Sequence, residues 1–349
     1  MLRYTDLKLE NRSVLRDVLP LRKPFTLIIE PTSLCNFRCI QCFQSLDGPS
    51  SFKQIQQHMT AEMFARAMQQ LRAWHGPPFK VVKLSLYGEP MLNPLFPEMV
   101  RCVKEAGIAD RVETTTNASL LTKEISRRLI ESQLDYMRVS IYATDQDRHR
   151  QVTGTQLPID QIRKNLLMLQ SLKKRYNSER PFVSCKMIDN YSSENQVFLD
   201  EFADIADEAY IDEPHEWIQL DEADFLGRYY SERAMAVRTD VKGKYSNRTA
   251  CPMAFTTMTI RSNGDVSPCC VDFIGGTTIG NLNEESVDRI WLGQRWLEFQ
   301  RMQLEGRRGE NKSCARCELQ KSDHYTRDDI DNYPFDKLLE ERKRWQRPQ

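Results

Sequence analysis

Cys35-Asn-Phe-Arg-Cys39-Ile-Gln-Cys42 places three thiols within eight residues, just after the apolar run Phe25–Glu30. Three thiolates are one ligand short of a closed site, because structural zinc is held by four side chains and ordinary cubane clusters take four cysteines. Such a loop suits a [4Fe-4S] cluster whose fourth iron is left open to a ligand that is not protein, with zinc as the alternative. A second group follows late in the chain: Cys251, the pair Cys269-Cys270, and Cys314-Ala-Arg-Cys317. Taken alone, a CxxC with two remote cysteines reads as a zinc ribbon. Ten cysteines in a long chain with no export signal, grouped in this way, read as metal ligands rather than disulfides. Cys102 and Cys185 stand apart in apolar surroundings and read as packing residues.

The elements that would carry these loops alternate. Strand-like apolar runs occupy Phe25–Glu30, Val81–Leu86, Val112–Thr116, Tyr136–Tyr142, Phe182–Ile188 and, less clearly, Ala209–Ile211. Helical patterns lie between them. Thr60 caps a stretch with Phe64, Met68 and Leu71 on one face. Pro94 or Pro97 opens another, stopped at Gly107. Thr122 caps a third, with Ile125 and Leu129, and Asp160 precedes Ile162, Leu166 and Leu169. Repeated βα units imply an α/β fold with a parallel sheet and helices outside it. Both a doubly wound sheet and a barrel satisfy that pattern, and both gather chemistry at the C-terminal ends of strands. Downstream, Thr256–Ile260 and Asp265–Pro268 flank Asn263-Gly264, a β-hairpin signal. A turn and an amphipathic helix through Ile290-Trp291 come next.

From Pro24 to Cys42 the chain resembles the radical S-adenosylmethionine (SAM) enzymes. That resemblance implies a partial (β/α)6 barrel and a first [4Fe-4S] cluster on Cys35, Cys39 and Cys42, whose open iron chelates SAM. Tyr87-Gly88-Glu89-Pro90 resembles the family's GGEP motif with Tyr for the first Gly, and implies Gly88 and Glu89 as SAM contacts. Thr115-Thr116-Asn117 resembles its TN(G) turn, with Ala118 for Gly, and implies Asn117. Ser140 lies where the family often places a serine on the SAM ribose or carboxylate. Gln41 departs from the family, which favours an aromatic near the adenine; Phe43 or Phe37 is the expected substitute. Lys186, Arg148, His149 and Arg150 are expected to be solvated. The stretch from Cys251 to Cys317 resembles the SPASM/twitch extension. This implies a small iron-sulfur domain of hairpin and helix, with a second, auxiliary [4Fe-4S] cluster on Cys251, Cys269, Cys314 and Cys317. Cys270 remains as a candidate hydrogen donor.

The expected organisation is an N-terminal segment (1–24), partial barrel (25–220), linker (221–250), auxiliary-cluster domain (251–325) and charged C-terminal helix (326–349). Lys+Arg and Asp+Glu balance at 49 each, so net charge points to neither nucleic acid nor an anionic membrane. No apolar run approaches the roughly 20 residues of a membrane span, and a cytoplasmic protein is expected. The resemblance implies a flavodoxin- or ferredoxin-type electron donor. It leaves two substrate classes: a small molecule of the sugar or aminocyclitol kind, dehydrogenated or epimerised, and a peptide modified by a maturase.

Overall fold

The computed structural model describes residues 13–46, 56–212, 228–229, 248–317, 319–321 and 327–345. Six strands run parallel and in sequential order: β1 (Thr26–Ile29), β2 (Val81–Leu84), β3 (Val112–Thr116), β4 (Tyr136–Ile141), β5 (Phe182–Ile188) and β6 (Glu208–Asp212). A doubly wound sheet reverses direction at a switch point. Among these six strands the order does not reverse, as in a partial barrel.

The outer helices begin and end where local chemistry dictates. Thr60 accepts from the Met63 N–H at 3.1 Å to open α1 (Ala61–Ala73). Helix α2 (Phe96–Ala106) carries Pro97 in its first turn and stops at Gly107, whose φ of 61° is the left-handed cap a Cβ would disfavour. Thr122 opens α3 (Lys123–Glu131) by accepting from the Ile125 N–H at 3.2 Å. The short α4 (Gln146–Thr153) follows β4; α5 (Ile159–Arg175) and α6 (Glu194–Ala203) complete the layer.

Alternate strand residues, such as Val82, Leu84, Met137, Val139, Val183 and Met187, join helix side chains in one buried core. The residues between them face inward, and many are polar: Lys83, Glu113, Arg138, Ser184 and Lys186.

The expected boundary at residue 251 crosses a continuous sheet. β7 (Thr257–Ile260) pairs in parallel with β1, Thr26 opposite Thr257 and Ile29 opposite Ile260. β8 (Asp265–Ser267) and β9 (Gly280–Asn281) extend it antiparallel, so the hairpin is there but docked onto the barrel. Trp291 on α7 (Val287–Leu292) and Trp296 on α8 (Gln294–Leu304) lie buried in that core.

The charged C-terminal helix α9 (Phe335–Trp345) buries one side. Leu338 is buried with Leu15, Leu19, Phe255 and Leu297, and Arg342 donates to Gln300 Oε1 at 3.0 Å. One apolar stripe outweighs the charged faces. Most of the expected linker lies outside the described residues. Among the described residues no helix is long and apolar enough to cross a membrane.

Candidate functional site

The cysteine loop leaves β1 at its C-terminal end and is fastened from three sides. At the turn after β2, the Glu89 N–H donates to the Leu34 carbonyl at 2.8 Å. Gly88 is required there, because a Cβ would sit 2.4 Å from the carbonyl oxygens of both Thr32 and Leu34. From the opposite side, the last carbonyls of α4 accept from the loop: Thr153 from Arg38 at 2.8 Å and Val152 from Ile40 at 2.9 Å. Beyond β3, Asn117 Nδ2 donates to Asn36 Oδ1 at 3.0 Å, and Asn36 Nδ2 to Ser119 Oγ at 2.8 Å.

Burial pushes the Cys35 thiol up to about 11 and Cys42 to about 12. Cys39 rises further, through burial first and then the neighbouring charges of Cys42 and Cys35. Thiols so placed cannot ionise together without a cationic centre to hold them, which fits a metal cluster.

Glu89 is buried at the junction of β2 and β3. One oxygen accepts from Thr116 Oγ1 at 2.7 Å and the Met91 N–H at 3.2 Å; the other accepts from the Asn117 N–H at 2.8 Å. Burial raises its carboxyl to about 6 against those three donors. Ala118, standing where the resembling family has glycine, adopts a left-handed φ of 57°. Ser140 faces inward on β4, near the Tyr142 hydroxyl.

The rings expected near the adenine, Phe43 and Phe37, both have aromatic neighbours. Phe43 stacks on Phe273 with centroids 4.7 Å apart and meets Tyr87 edge-on at 4.9 Å, while Phe37 lies edge-on to His149 at 6.0 Å. Both rings are thus engaged in packing. The buried amide of Gln41 has no hydrogen-bond partner among the described residues. His149 is 2% exposed rather than solvated, and burial lowers its imidazole. Arg148 pairs with Glu194 at 3.1 Å, and Lys186 with Asp212 at 3.3 Å. Only Arg150 is exposed as expected.

The late cysteines form a second site, on the segments before β7 and after β8 and on the loop beyond α8. Cys251, Cys269, Cys314 and Cys317 line one cavity, walled by Met253, Val271 and Leu319. Cys270 is absent from that lining, although it packs against the same Met253, Val271 and Leu319; the charges of Lys83 and Arg138 act on its half-buried thiol. Burial raises all four lining thiols, Cys317 to about 11. Main-chain N–H groups of Val271 and Leu319 donate to Cys269 and Cys317 Sγ, each at 3.4 Å, and Gln303 Nε2 reaches Cys314 Sγ at 3.6 Å. Such donors tune a cluster held by thiolates. Among the described residues no three side chains converge as ligands of a single metal ion; the thiols stand as loop-borne groups.

Sequence reasoning missed Asp272. It is buried and accepts from the Gly276 and Thr277 N–H groups at 3.0 and 2.6 Å, and from Ser313 Oγ at 2.6 Å, binding the Cys269 loop to the Cys314 loop. An acid two residues past a cysteine pair carries no signal of that role. Glu113 was also missed. Burial alone would raise it, yet Lys83, Arg111 and Arg138 together bring it down to about 2.

Two family models match: the radical SAM superfamily over residues 29–179 and the SPASM iron-sulfur cluster-binding domain over residues 251–318. This chain carries a radical SAM domain and a SPASM domain. Those domains imply SAM and [4Fe-4S] clusters as cofactors. Among curated relatives, a GTP 3′,8-cyclase of Chlorobaculum tepidum is 33% identical over 126 residues, covering 36% of this chain and 35% of that protein. The SAM-dependent 2-deoxy-scyllo-inosamine dehydrogenase of Niallia circulans is 35% identical over 54 residues, 16% of this chain and 22% of that one. The alignments thus span about a third or less of these relatives' lengths.

Among solved structures, BtrN in complex with AdoMet and 2-DOIA has a TM-score of 0.52 at 19% identity, covering 85% of this chain and 93% of that one. Streptococcus suis SuiB bound to S-adenosylmethionine has a TM-score of 0.60 at 18% identity, over 88% and 73%. These likenesses show the fold: a radical SAM barrel with a SPASM extension.

Proposed function

We propose that the protein reductively cleaves SAM to a 5′-deoxyadenosyl radical and abstracts hydrogen from a sugar- or aminocyclitol-like substrate. The observation that carries this reading is the division of the thiols into two groups, three on the loop that follows β1 and four lining one cavity. Three cysteines on the barrel loop leave one position for SAM, whereas four around the second cavity leave none. The cysteines hold the clusters, and Gly88, Glu89, Asn117 and Ser140 hold SAM. When bound, the first cluster supplies the electron that breaks the S–C5′ bond, and the second takes the electron left on the substrate. Glu89, as a carboxylate, accepts from the SAM ammonium. Gly88 keeps the loop close to the β2 turn, and the barrel wall excludes water from the reacting carbon. Electrons arrive from a flavodoxin- or ferredoxin-type donor.

The local likeness to the inosamine dehydrogenase supports the small-molecule class. A second reading, a peptide-modifying maturase, draws on the fold likeness to SuiB bound to its precursor peptide SuiA, with a TM-score of 0.58 over 88% of this chain.

The test uses anaerobically reconstituted protein. Two cubane clusters give about eight irons per chain, and Cys35/39/42→Ala about four. Release of 5′-deoxyadenosine from SAM with dithionite is expected only from wild type. Full iron loading without SAM cleavage overturns the enzyme reading, and four irons with one zinc removes the electron acceptor.

A further inference from the structure

Two neighbouring arginines spend their charge differently. Arg307 is exposed and holds Glu305 Oε2 at 2.8 Å and Glu310 Oε2 at 2.7 Å, as surface ion pairs do. Arg308 opens the short 3-10 turn Arg308–Glu310, which packs on the turn Cys314–Arg316, and it lines the four-cysteine cavity. Its Nη2 donates to the Cys317 carbonyl at 2.7 Å, fixing the guanidinium on the CxxC loop. Its Nε is buried and has no hydrogen-bond partner among the described residues.

Burial raises Cys251, Cys314 and Cys317, and the charge of Arg308 opposes that rise in all three. The barrel loop has a different cation: Arg38 acts on Cys35 and Cys42 and donates to the Gln44 carbonyl at 2.7 Å. Gln303 supplies a neutral donor to the same cavity. It is wholly buried, accepts from the Cys251 N–H at 3.2 Å and donates to Cys314 Sγ at 3.6 Å. A buried guanidinium N–H left without an acceptor is costly. Thiolate and sulfide sulfurs filling this cavity are the acceptors that Nε lacks.

Reducing a thiolate-held cluster adds one negative charge to it. A fixed cation alongside therefore stabilises the reduced state more than the oxidised one, and hydrogen bonds to the sulfurs act in the same direction. Both effects are stronger beside Met253, Val271 and Leu319 than in water.

We propose that Arg308 tunes the auxiliary site: its guanidinium donates to a sulfur of the cluster and raises the potential at which that cluster accepts an electron. This rests on the reading that Cys251, Cys269, Cys314 and Cys317 hold the auxiliary cluster, and it names what makes that cluster an acceptor. In the proposed dehydrogenation one electron passes from the substrate radical to the oxidised cluster as the substrate releases a proton. Arg308 keeps its own protons throughout.

The test is an EPR-monitored redox titration of the reconstituted full chain, with and without SAM. The signal that SAM perturbs belongs to the first cluster, and the other to the auxiliary one. Arg308→Leu should shift the auxiliary equilibrium roughly tenfold towards the oxidised state, about 59 mV lower for a one-electron couple, and leave the first cluster where it was. Arg308→Lys keeps the charge and should recover part of the shift, whereas Gln303→Leu removes a neutral donor and should move the potential less. An unchanged auxiliary potential in Arg308→Leu at full iron loading overturns the proposal, as does an equal shift in both clusters. If the Leu variant loses the auxiliary iron, Arg308→Gln decides, because it retains a donor for the Cys317 carbonyl without the charge. A lowered potential in that variant supports the proposal; a wild-type potential or lost iron makes Arg308 a clamp on the loop and overturns it. Zinc in the second site of wild type removes the cluster itself. Two clusters and the expected shift without SAM cleavage overturn the radical reading alone.

Discussion

The main-chain N–H of Asn117 donates to the carboxylate of Glu89 across 2.8 Å, tying the ends of β2 and β3 together beside the cysteine loop. A turn acid and a turn asparagine that both face SAM in the proposed function are therefore already one structural unit.

Glu89 gives that unit a pH dependence. Its carboxyl is raised to about 6 by burial, from an ordinary value of 4.5. A raised acid favours the fold when protonated, so its contribution is full below pH 4.5 and lost as pH rises through about 6. SAM recognition has the opposite sign, since only the carboxylate accepts from an ammonium. SAM affinity measured by equilibrium dialysis should fall about tenfold per pH unit below 6. Glu89→Gln should bind weakly at every pH and show a flat profile between pH 5 and 7. A sloping profile in that variant would assign the titration elsewhere.

Gly88 is the tightest backbone approach around the loop. An added methyl would lie 2.4 Å from two carbonyl oxygens that belong to main chain and cannot rotate away. Gly88→Ala should cost ~3 kcal/mol, at the upper end of overpacking. The strain falls on Thr32 and Leu34, just before Cys35. Iron content after reconstitution should drop toward the value for the auxiliary site alone, with SAM cleavage lost. Normal iron and a normal melting temperature would contradict so close an approach of these two turns.

Much of this was readable beforehand, because it is local. Thr60, Thr122 and Gly107 announce their helix ends by cap chemistry, and the spacing of Cys35, Cys39 and Cys42 announces a cluster loop. What escaped was non-local or masked by composition. Nothing near Thr257 says that β7 will pair in parallel with β1. The stretch Asp145-Gln-Asp-Arg-His-Arg150 reads as solvated, yet α4 turns His149 inward against Phe37. In the C-terminal helix, Leu338 and Arg342 lie four residues apart, and that stripe is legible only once Gln300 is known to receive the arginine. The inner wall was partly visible: Lys83 between Val82 and Leu84, and Arg138 between Met137 and Val139, alternate as a strand with one polar face does.

Asp272 should be the acid on which the auxiliary site depends. It joins two cysteine-bearing loops through short bonds to Thr277 and Ser313, all buried. Asp272→Ala leaves those donors unpaired at a cost of about 3 kcal/mol. The expected result is about four irons per chain in place of about eight, with SAM cleavage retained. Loss of both sites together would mean that Asp272 supports the whole fold.

Cys269 and Cys270 are adjacent on the loop after β8, but only one of them lines the cavity. Cys269 lines the cavity shared with Cys251, Cys314 and Cys317, and accepts from the Val271 N–H. Cys270 packs against Met253, Val271 and Leu319 without lining that cavity, and the positive charges of Lys83 and Arg138 act on its thiol. Cys269→Ala should therefore lose the auxiliary iron, whereas Cys270→Ala should keep it. A thiol that holds no cluster can return a hydrogen atom to a substrate radical. If the reaction is an epimerisation, Cys270→Ala should still release 5′-deoxyadenosine but form no inverted product. Inverted product from that variant would exclude Cys270 as the donor, and loss of iron from it would reverse the ligand assignment of the pair.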